Sequence, residues 1–424
     1  MATDNVIIEK KTTATSPTWD VMAMCIGMIL LMFKSNRILY VRYLPDTPVY
    51  FLAFVCIFCY AAMRWKELER LTMFKGICIA LLSVIFIYDR LMLGDLSMQS
   101  MLCMAVTVFA AAVLVQAPLA DKKVVLKYFT IAVELILLLA LAGWIPFLCG
   151  VEMPHFQDNS ESYYKHQVYY LFNTFTMSSP ADIYRFAGPF LEPGHLGSMC
   201  VYLLYIDQFN LRKFGNIVLL LSTLMSLSLA AYGLMVGGVI LVLIDKRKYI
   251  AMAAMAAVFV LIGVGAASYL NGENVLNQAI VSRLEVTEDG EIAGNNRYTT
   301  FFKDTFKKYL KSDRIWFGAG RDAYSSRSDS SGTLMMGNAG YKRYFYLRGI
   351  VGSTLIVMFL LVYFSRYMSF RSFGFLIVYV ISNLIRDYPT KEMWMFLFLI
   401  AIPILYYESG REKEKRKIGH DPQQ

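Results

Sequence analysis

The feature that most constrains this chain is a series of twelve apolar runs separated by polar segments. They cover residues 19–33, 49–63, 74–88, 98–116, 124–148, 195–209, 214–229, 231–245, 249–268, 348–364, 373–385 and 392–408. A helix needs about 20 residues to cross about 30 Å of hydrocarbon, so the continuous stretch 214–245 is too long for one span and we divide it at Ala230. The sequence therefore predicts an all-α polytopic integral membrane protein with about twelve transmembrane helices and two large outer loops.

The composition excludes an ordinary soluble domain. Of the 424 residues, 57% are hydrophobic and only 17% are charged, whereas soluble domains carry roughly 25% charged residues. The seven cysteines fall mostly inside apolar runs and show no Cys/His spacing typical of a metal site. We interpret them as small buried hydrophobic residues and expect the chain to act in a membrane.

Lysine and arginine residues predict the orientation of the spans, because short loops retained in the cytoplasm accumulate them. With alternating spans, short segments on one side carry 21 of these residues and short segments on the other side carry six. This ratio predicts two cytoplasmic termini and an even number of spans. The chain is thus divided into helices one to five (1–148), a first outer loop (149–194), helices six to nine (195–268), a second outer loop (269–347), helices ten to twelve (348–408) and a basic cytoplasmic tail (409–424).

Six basic residues are predicted on the outer side, against the orientation rule. They are Lys34, Arg37, Arg42, Arg90, Arg386 and Lys391. Two interpretations remain open: long basic side chains reach anionic headgroups from helix ends, or they attract an anionic lipid-linked substrate. Arg386 with Asp387 is in turn either a salt-bridged helix end or part of a site in the membrane.

The segment Arg185–Gly197 (RFAGPFLEPGHLG) has the composition of a site rather than of a span. It places a guanidinium, a carboxylate and an imidazole close together at Arg185, Glu192 and His195, among two prolines and three glycines. Structural roles are open for each residue. Arg185 could pair with Asp182 or Glu192 as a loop clamp, Glu192 could stabilise a helix N-terminus, and His195 could lie at the end of that helix.

The two outer loops contain further predicted elements. In the first loop, the apolar patch 167–177 is interpreted as an interfacial helix. In the second loop, residues 297–310 show apolar and aromatic side chains at helical spacing with lysines on the other face, which predicts an amphipathic helix on the membrane or over a cavity. The segment 316–321 (WFGAGR) predicts a glycine turn, and 337–348 returns the chain to the membrane.

These motifs together resemble the Wzy-type polymerases of O-antigen and capsular polysaccharide repeats, within the superfamily that also contains the O-antigen ligases. The resemblance rests on the Arg-x-x-Gly-x-Phe-x-Glu-Pro motif after the fifth span, the arginine helix and aromatic-Gly-x-Gly turn of the second loop, and the Arg-Gly-Ile-Val-Gly re-entry. At residue level it is confined to 185–197, roughly 297–320, and 348–352. The second loop has no obvious histidine of the kind the ligases use there, which favours the polymerase.

The resemblance implies a glycosyltransferase of the bacterial cytoplasmic membrane that joins undecaprenyl-pyrophosphate-linked oligosaccharides on its outer face. Arg185, the second-loop residues Arg297 and Arg321, and Arg348 at the membrane edge are then expected to bind the pyrophosphate. Glu192 is expected to take the acceptor proton, with His195 as the alternative base.

The same resemblance implies the partners of the chain. Donor and acceptor are both lipid-linked oligosaccharides, and a chain-length-regulating co-polymerase is a further partner. We expect no metal, no cofactor and no nucleic acid. The alternatives are an O-antigen ligase and a lipid-linked oligosaccharide flippase or transporter, although a transporter is expected to show two comparable halves.

Overall fold

The computed structural model describes residues 17–68, 70–158, 166–176, 184–274, 277–284, 299–325, 340–386 and 388–418. The α-helices are α1 (Trp19–Ser35), α2 (Asp46–Met63), α3 (Met73–Leu93), α4 (Met98–Gln116), α5 (Leu119–Leu148), α6 (Pro193–Ile206), α7 (Phe214–Met225), α8 (Leu229–Asp245), α9 (Tyr249–Ser268), α10 (Thr300–Tyr309), α11 (Gly320–Ser325), α12 (Gly340–Arg366), α13 (Phe370–Ile385) and α14 (Glu392–Ile418). Short 3₁₀ or π turns lie at Val41–Tyr43, Tyr269–Gly272, Asn277–Val281, Ser282–Leu284 and Asp313–Ile315.

Each of the twelve predicted apolar runs overlaps largely with one of these helices, namely α1 to α9 and α12 to α14. In the part of the chain that is described, six helices are long and apolar enough to cross a membrane: α2, α3, α4, α5, α12 and α14. The protein is therefore a helical membrane protein. Several helices extend beyond the predicted runs; α12 begins at Gly340, eight residues earlier than expected.

The apolar stretch 214–245 is divided into two helices at residues 226–228. At one end of the pair, Asn216 of α7 donates to Asp207 and Lys246 after α8 donates to the carbonyl of Gln208. At the other end, Ser226 and Ala231 both lie against Gly197. Helices α7 and α8 consequently run in opposite directions along α6, and the chain reverses about four residues before Ala230.

Charged clusters mark the side of the bundle where α1 begins and α14 ends. Arg64 pairs with Asp20, and Tyr60 donates a 2.7 Å hydrogen bond to Asp121, which joins the ends of α1, α2 and α5. Arg371 pairs with Asp245 at 2.8 Å and also with Glu412, which joins α8, α13 and α14. These links tie together the helix ends where the sequence predicts the cytoplasm.

The first outer loop contains a β-sheet, so the expectations of an all-α fold and of an interfacial helix at 167–177 are wrong. Strands β1 (His155–Asp158), β2 (His166–Tyr169), β3 (Asn173–Thr176) and β4 (Tyr184–Gly188) form one antiparallel sheet in that order. The aromatic side chains of this segment fill a core against the end of α5, where Phe172 and Phe186 pack on Trp144. Aromatic residues favour strands when alternate positions can be buried in this way. We call the face of the molecule that carries this sheet the sheet side.

The second outer loop contains the predicted amphipathic helix, shortened to α10. The side chain of Thr299 caps this helix by accepting a hydrogen bond from the amide of Phe302. On the apolar face of the helix, Phe302 and Tyr309 are buried against Tyr346 and Leu347 at the start of α12. Its apolar side is therefore covered by protein at the start of α12.

The Trp316–Gly320 turn packs against a kink in α12. At the kink, Gly349 adopts φ +66°, and a side chain there would meet the backbone of Gly318 and Trp316. The amide of Ala319 donates to the carbonyl of Tyr346 at 2.8 Å, and the amide of Val351 donates to the carbonyl of Trp316 at 3.0 Å. The turn thus satisfies backbone groups that the kink removes from the helix.

Helices α6 and α14 form the centre of the bundle. All residues of α6 from Pro193 to Ile206 are buried, and α14 is buried from Met393 to Ile402. The two helices meet through the rings of Tyr202 and Trp394, which lie 5.4 Å apart. Both begin on the sheet side, and their first turns form the site described next.

Candidate functional site

An ion pair between Glu192 and Arg386 lies at the start of the central helix α6. Glu192 is the N-cap residue of α6, and Pro193 occupies the first helical position, where its fixed φ and missing N–H are tolerated. Arg386 follows α13, and its Nη1 lies 2.6 Å from Oε2 of Glu192. The pair joins two segments that are 194 residues apart.

The guanidinium of Arg386 is buried over the first turn of α6. Its side chain is only 8% exposed, and a side chain at Gly194 would overlap the guanidinium, so this glycine provides the space for it. Arg386 Nε has no hydrogen-bond partner among the described residues. The N-terminus of a helix and a buried guanidinium both favour a negative charge, and Glu192 supplies it here.

His195 and Tyr388 complete the cluster. As predicted from their spacing, His195 lies on the same face of α6 as Glu192, with Nε2 3.8 Å from Oε2 of that residue. The same Nε2 makes a hydrogen bond with the hydroxyl of Tyr388, whose ring meets the imidazole edge-on at 4.7 Å. A carboxylate, an imidazole, a phenol and a guanidinium are therefore in contact at one point. We call these four residues the Glu192 cluster.

The electrostatics of the cluster keep Arg386 charged. Burial opposes the charged guanidinium, but the carboxylate of Glu192, with Oε2 2.6 Å from Nη1, offsets that cost, and arginine stays protonated at any working pH. Lys391 adds a second cation, with its ammonium 4.2 Å from the centre of the Tyr388 ring. The cluster can therefore offer a fixed positive charge to an anion and proton-transferring groups to a hydroxyl.

The Glu192 cluster lies at the end of a helix that is enclosed by protein. Every residue of α6 from Pro193 to Ile206 is buried. Polar groups at the end of this helix are therefore shielded by the surrounding elements and need protein partners.

Arg185 lies beside the cluster rather than inside its ion pair. It is on β4, and its Nε donates a 3.1 Å hydrogen bond to the carbonyl of Ser226 in the turn between α7 and α8. That turn packs against Gly197, one helical turn beyond Gly194. Of the two predicted clamp partners, Glu192 pairs with Arg386, and Asp182 lies outside the described residues.

The second-loop arginines are in different surroundings. Arg348 is buried on α12, pairs with Asp89 of α3, and lies 4.4 Å from the centre of the Tyr344 ring. Arg321 is exposed on α11. Arg297 and Asp387 lie outside the described residues. No contact links Arg321 or Arg348 to Glu192 within the part of the chain that the structure describes.

Two other cations predicted on the outer side, Lys34 and Arg42, stabilise the loops around them. Lys34 pairs with Asp46 at 2.9 Å and donates to the carbonyl of Val41, and so closes the α1–α2 connection. Arg42 donates to the side-chain oxygen of Asn173 at 3.2 Å, which links this connection to the sheet. For these residues the structure provides protein partners, an arrangement that neither of the two sequence interpretations included.

Sequence reasoning did not assign Arg386 or Tyr388 to the site. The available signal was the position of Arg386 at the end of an apolar run, which marked it as either a salt-bridged helix end or a membrane site. Its partner was not predictable because Glu192 precedes it by almost half the chain. The described residues contain no group of three or more His, Cys, Asp or Glu side chains placed to hold a metal ion.

The sequence matches no protein-family model and no curated protein sequence.

Proposed function

We propose that this chain is a membrane glycosyltransferase that polymerises undecaprenyl-pyrophosphate-linked oligosaccharide repeats on the outer face of a bacterial cytoplasmic membrane. The observation that carries the proposal is the Glu192 cluster, in which a buried guanidinium, a carboxylate and an imidazole meet at the sheet-side end of a buried helix. The motif resemblance supplies the substrate class, and the cluster supplies the chemistry.

The reaction requires one bond to form and one to break at the anomeric carbon of the donor sugar. The acceptor hydroxyl oxygen bonds to that carbon and loses its proton to Glu192. The bond from the carbon to the pyrophosphate oxygen breaks, and its electron pair leaves with the pyrophosphate. The proton then passes to solvent through His195 and Tyr388, which are in contact with each other.

The negative charge on the leaving pyrophosphate is the largest electrostatic demand of this step. In the proposal Arg386 binds the pyrophosphate. When Arg386 leaves Glu192 to do so, the Glu192 carboxylate becomes available as a base. Arg185 is the second ligand, because β4 leads directly into Glu192 and brings it to the neighbouring turn. Arg297 and Arg321 are proposed as contributions of the second loop, and Arg348 positions the α12 kink through Asp89. Arginine suits these roles since its planar fork binds phosphate oxygens in pairs.

Substitution of the proposed base tests the function. Glu192→Gln is nearly isosteric and removes only the titratable group, so we expect polymerisation to be lost at unchanged protein amount, with single repeats accumulating outside the membrane. Arg185→Lys keeps the charge but not the bidentate fork and is expected to lose about 10²-fold in chain extension. Glu152→Gln, at an exposed position beyond the end of α5, is the matched control.

The same experiment separates the alternatives. A flippase defect traps single repeats on the cytoplasmic side, and a ligase defect leaves long chains that are not transferred to their final acceptor. Normal chain lengths in both variants would remove Glu192 and Arg185 from the mechanism.

Metal independence is a separate part of the proposal. Because arginines supply the positive charge, purified protein in excess EDTA is expected to extend chains at an undiminished rate. Loss of extension that added magnesium restores would contradict the arginine mechanism.

A further inference from the structure

The tip of the β2–β3 hairpin carries two exposed side chains with large apolar surfaces. Tyr170 is 65% exposed and Leu171 is 39% exposed, whereas their neighbours Tyr169 and Phe172 are buried. The backbones of Tyr169 and Phe172 bond to each other in both directions, at 2.8 and 3.3 Å, which closes a two-residue turn. The exposed pair is therefore held at a fixed place by an ordered hairpin.

This tip lies beside α5 and below the end of that helix. A side chain at Gly143 would meet the Phe172 ring at 2.8 Å and Leu171 at 3.6 Å. Helix α5 continues to Leu148, five residues beyond Gly143, which is about 7 Å along the helix axis. The hairpin thus folds back along the helix, towards the centre of the predicted membrane.

A lipid-facing stripe of α5 leads directly to the tip. Residues four apart lie on one face of a helix, and Ile131, Leu135 and Leu139 are 37%, 56% and 55% exposed on the face that ends at Gly143. In a helix long and apolar enough to cross a membrane, such a stripe faces the acyl chains. Leu171 and Tyr170 continue this stripe where the hairpin covers Gly143.

From this continuity we propose that the β2–β3 hairpin tip inserts into the lipid leaflet on the sheet side. Leu171 reaches the upper acyl chains, and Tyr170 lies at the headgroup level, where amphipathic rings are favoured. The turn itself stays at the interface, because backbone groups outside a helix or a closed sheet must remain hydrated. Through the β3–β4 ladder this anchor also fixes the strand that carries Arg185.

Spin labelling of the full chain in lipid nanodiscs tests the insertion. A nitroxide is attached at Leu171→Cys in protein whose accessible Cys56, Cys59 and Cys149 are replaced by alanine. Leu139→Cys is the lipid-facing reference and Glu152→Cys is the aqueous reference. The expected ratio of oxygen to water-soluble nickel accessibility at position 171 is several-fold above that at 152 and close to that at 139.

A ratio at position 171 equal to that at 152 would overturn the proposal. So would a label that is exposed to nickel in bare nanodiscs and becomes protected only when lipid-linked oligosaccharide is added, since the surface would then bind glycan. If the labelled variant does not fold, Tyr170→Trp in nanodiscs with brominated acyl chains provides a second measurement. Additional quenching relative to the unsubstituted protein is expected, and quenching only by aqueous iodide would exclude insertion.

Discussion

Two buried arginines on the sheet side, Arg386 and Arg348, have similar ion pairs but different surroundings. Each pairs with a carboxylate that is distant in sequence, Glu192 or Asp89. Around Arg386 the neighbours are an imidazole and a phenol. Around Arg348 the neighbours are the Tyr344 ring, 4.4 Å from the guanidinium, and backbone segments bridged by Tyr88, whose hydroxyl lies 2.6 Å from the carbonyl oxygen of Phe317 and 2.9 Å from that of Arg348.

This difference shows that burial and pairing alone do not identify a reactive arginine. A buried charge needs a partner wherever it lies, because the cost of leaving it unpaired is several kcal/mol. What distinguishes Arg386 is that its partner is next to groups that can move a proton, at the start of a helix. Arg348 connects α3 to the kinked joint between α12 and the 316–320 turn.

The largest expected effect is on the chemistry of the Glu192 cluster. Arg386→Lys keeps the charge but loses the planar fork, so we expect about 10²-fold slower chain extension with unchanged protein amount. Arg348→Lys is the paired comparison, and we expect it to lower the thermal unfolding temperature in detergent more than the Arg386 change does. If the two substitutions had equal effects on the rate of chain extension and on the unfolding temperature, the proposed difference in role between the two arginines would be wrong.

The next largest effect is expected at the joint beside Arg348. Gly349→Ala forces a residue with a side chain into a positive-φ extended conformation that is almost exclusive to glycine, at about 1–3 kcal/mol, and its Cβ would lie 2.5 Å from the Gly318 amide nitrogen. We expect a total destabilisation of about 2 kcal/mol or more, measured as a lower thermal unfolding temperature. Gly263→Ala in α9, where a Cβ meets no described atom within 4 Å, is the control.

A steric change that leaves every charge in place sharpens the comparison further. Gly194→Ala would push the Arg386 guanidinium away from Glu192, and we expect about tenfold slower chain extension, equivalent to about 1.4 kcal/mol in the barrier. Gly76→Ala on α3, which meets nothing within 4 Å, should leave the rate unchanged. If the Gly194 variant extends chains at the normal rate, the close approach of Arg386 to α6 has no role in the reaction.

The smallest effect is expected from Tyr88→Phe. The change removes one partly buried hydroxyl from two carbonyl oxygens, and such hydrogen bonds contribute about 1 kcal/mol. A small fall in unfolding temperature is expected, while chain extension at low temperature stays normal. Tyr341→Phe, at an exposed position, is the control. A large loss of extension in folded Tyr88→Phe protein would mean that the joint takes part in the chemistry.

The predictable part of the candidate site was local in sequence. Glu192 and His195 were predicted to face the same way because they are three residues apart on a helix, and the structure shows their side chains 3.8 Å apart. Arg185 was predicted as a neighbour in the same segment, but its hydrogen bond to Ser226 depends on how α7 turns into α8. The pairing of Arg386 with Glu192 has no local signal, since ion pairs between distant segments follow from packing.

For the fold, the sequence by itself determined that the chain is a helical membrane protein and where its apolar helices lie, because lipid requires long apolar runs and a helix satisfies its own backbone. It also located the reversal near Ala230, since one helix could not span 32 residues of membrane. Only the tertiary structure decided that the four segments β1 to β4 form a sheet, because short aromatic segments become strands or helices according to what they pack against. Only the tertiary structure brought Arg386 and Tyr388 to α6, because contacts across the bundle depend on which helices are neighbours.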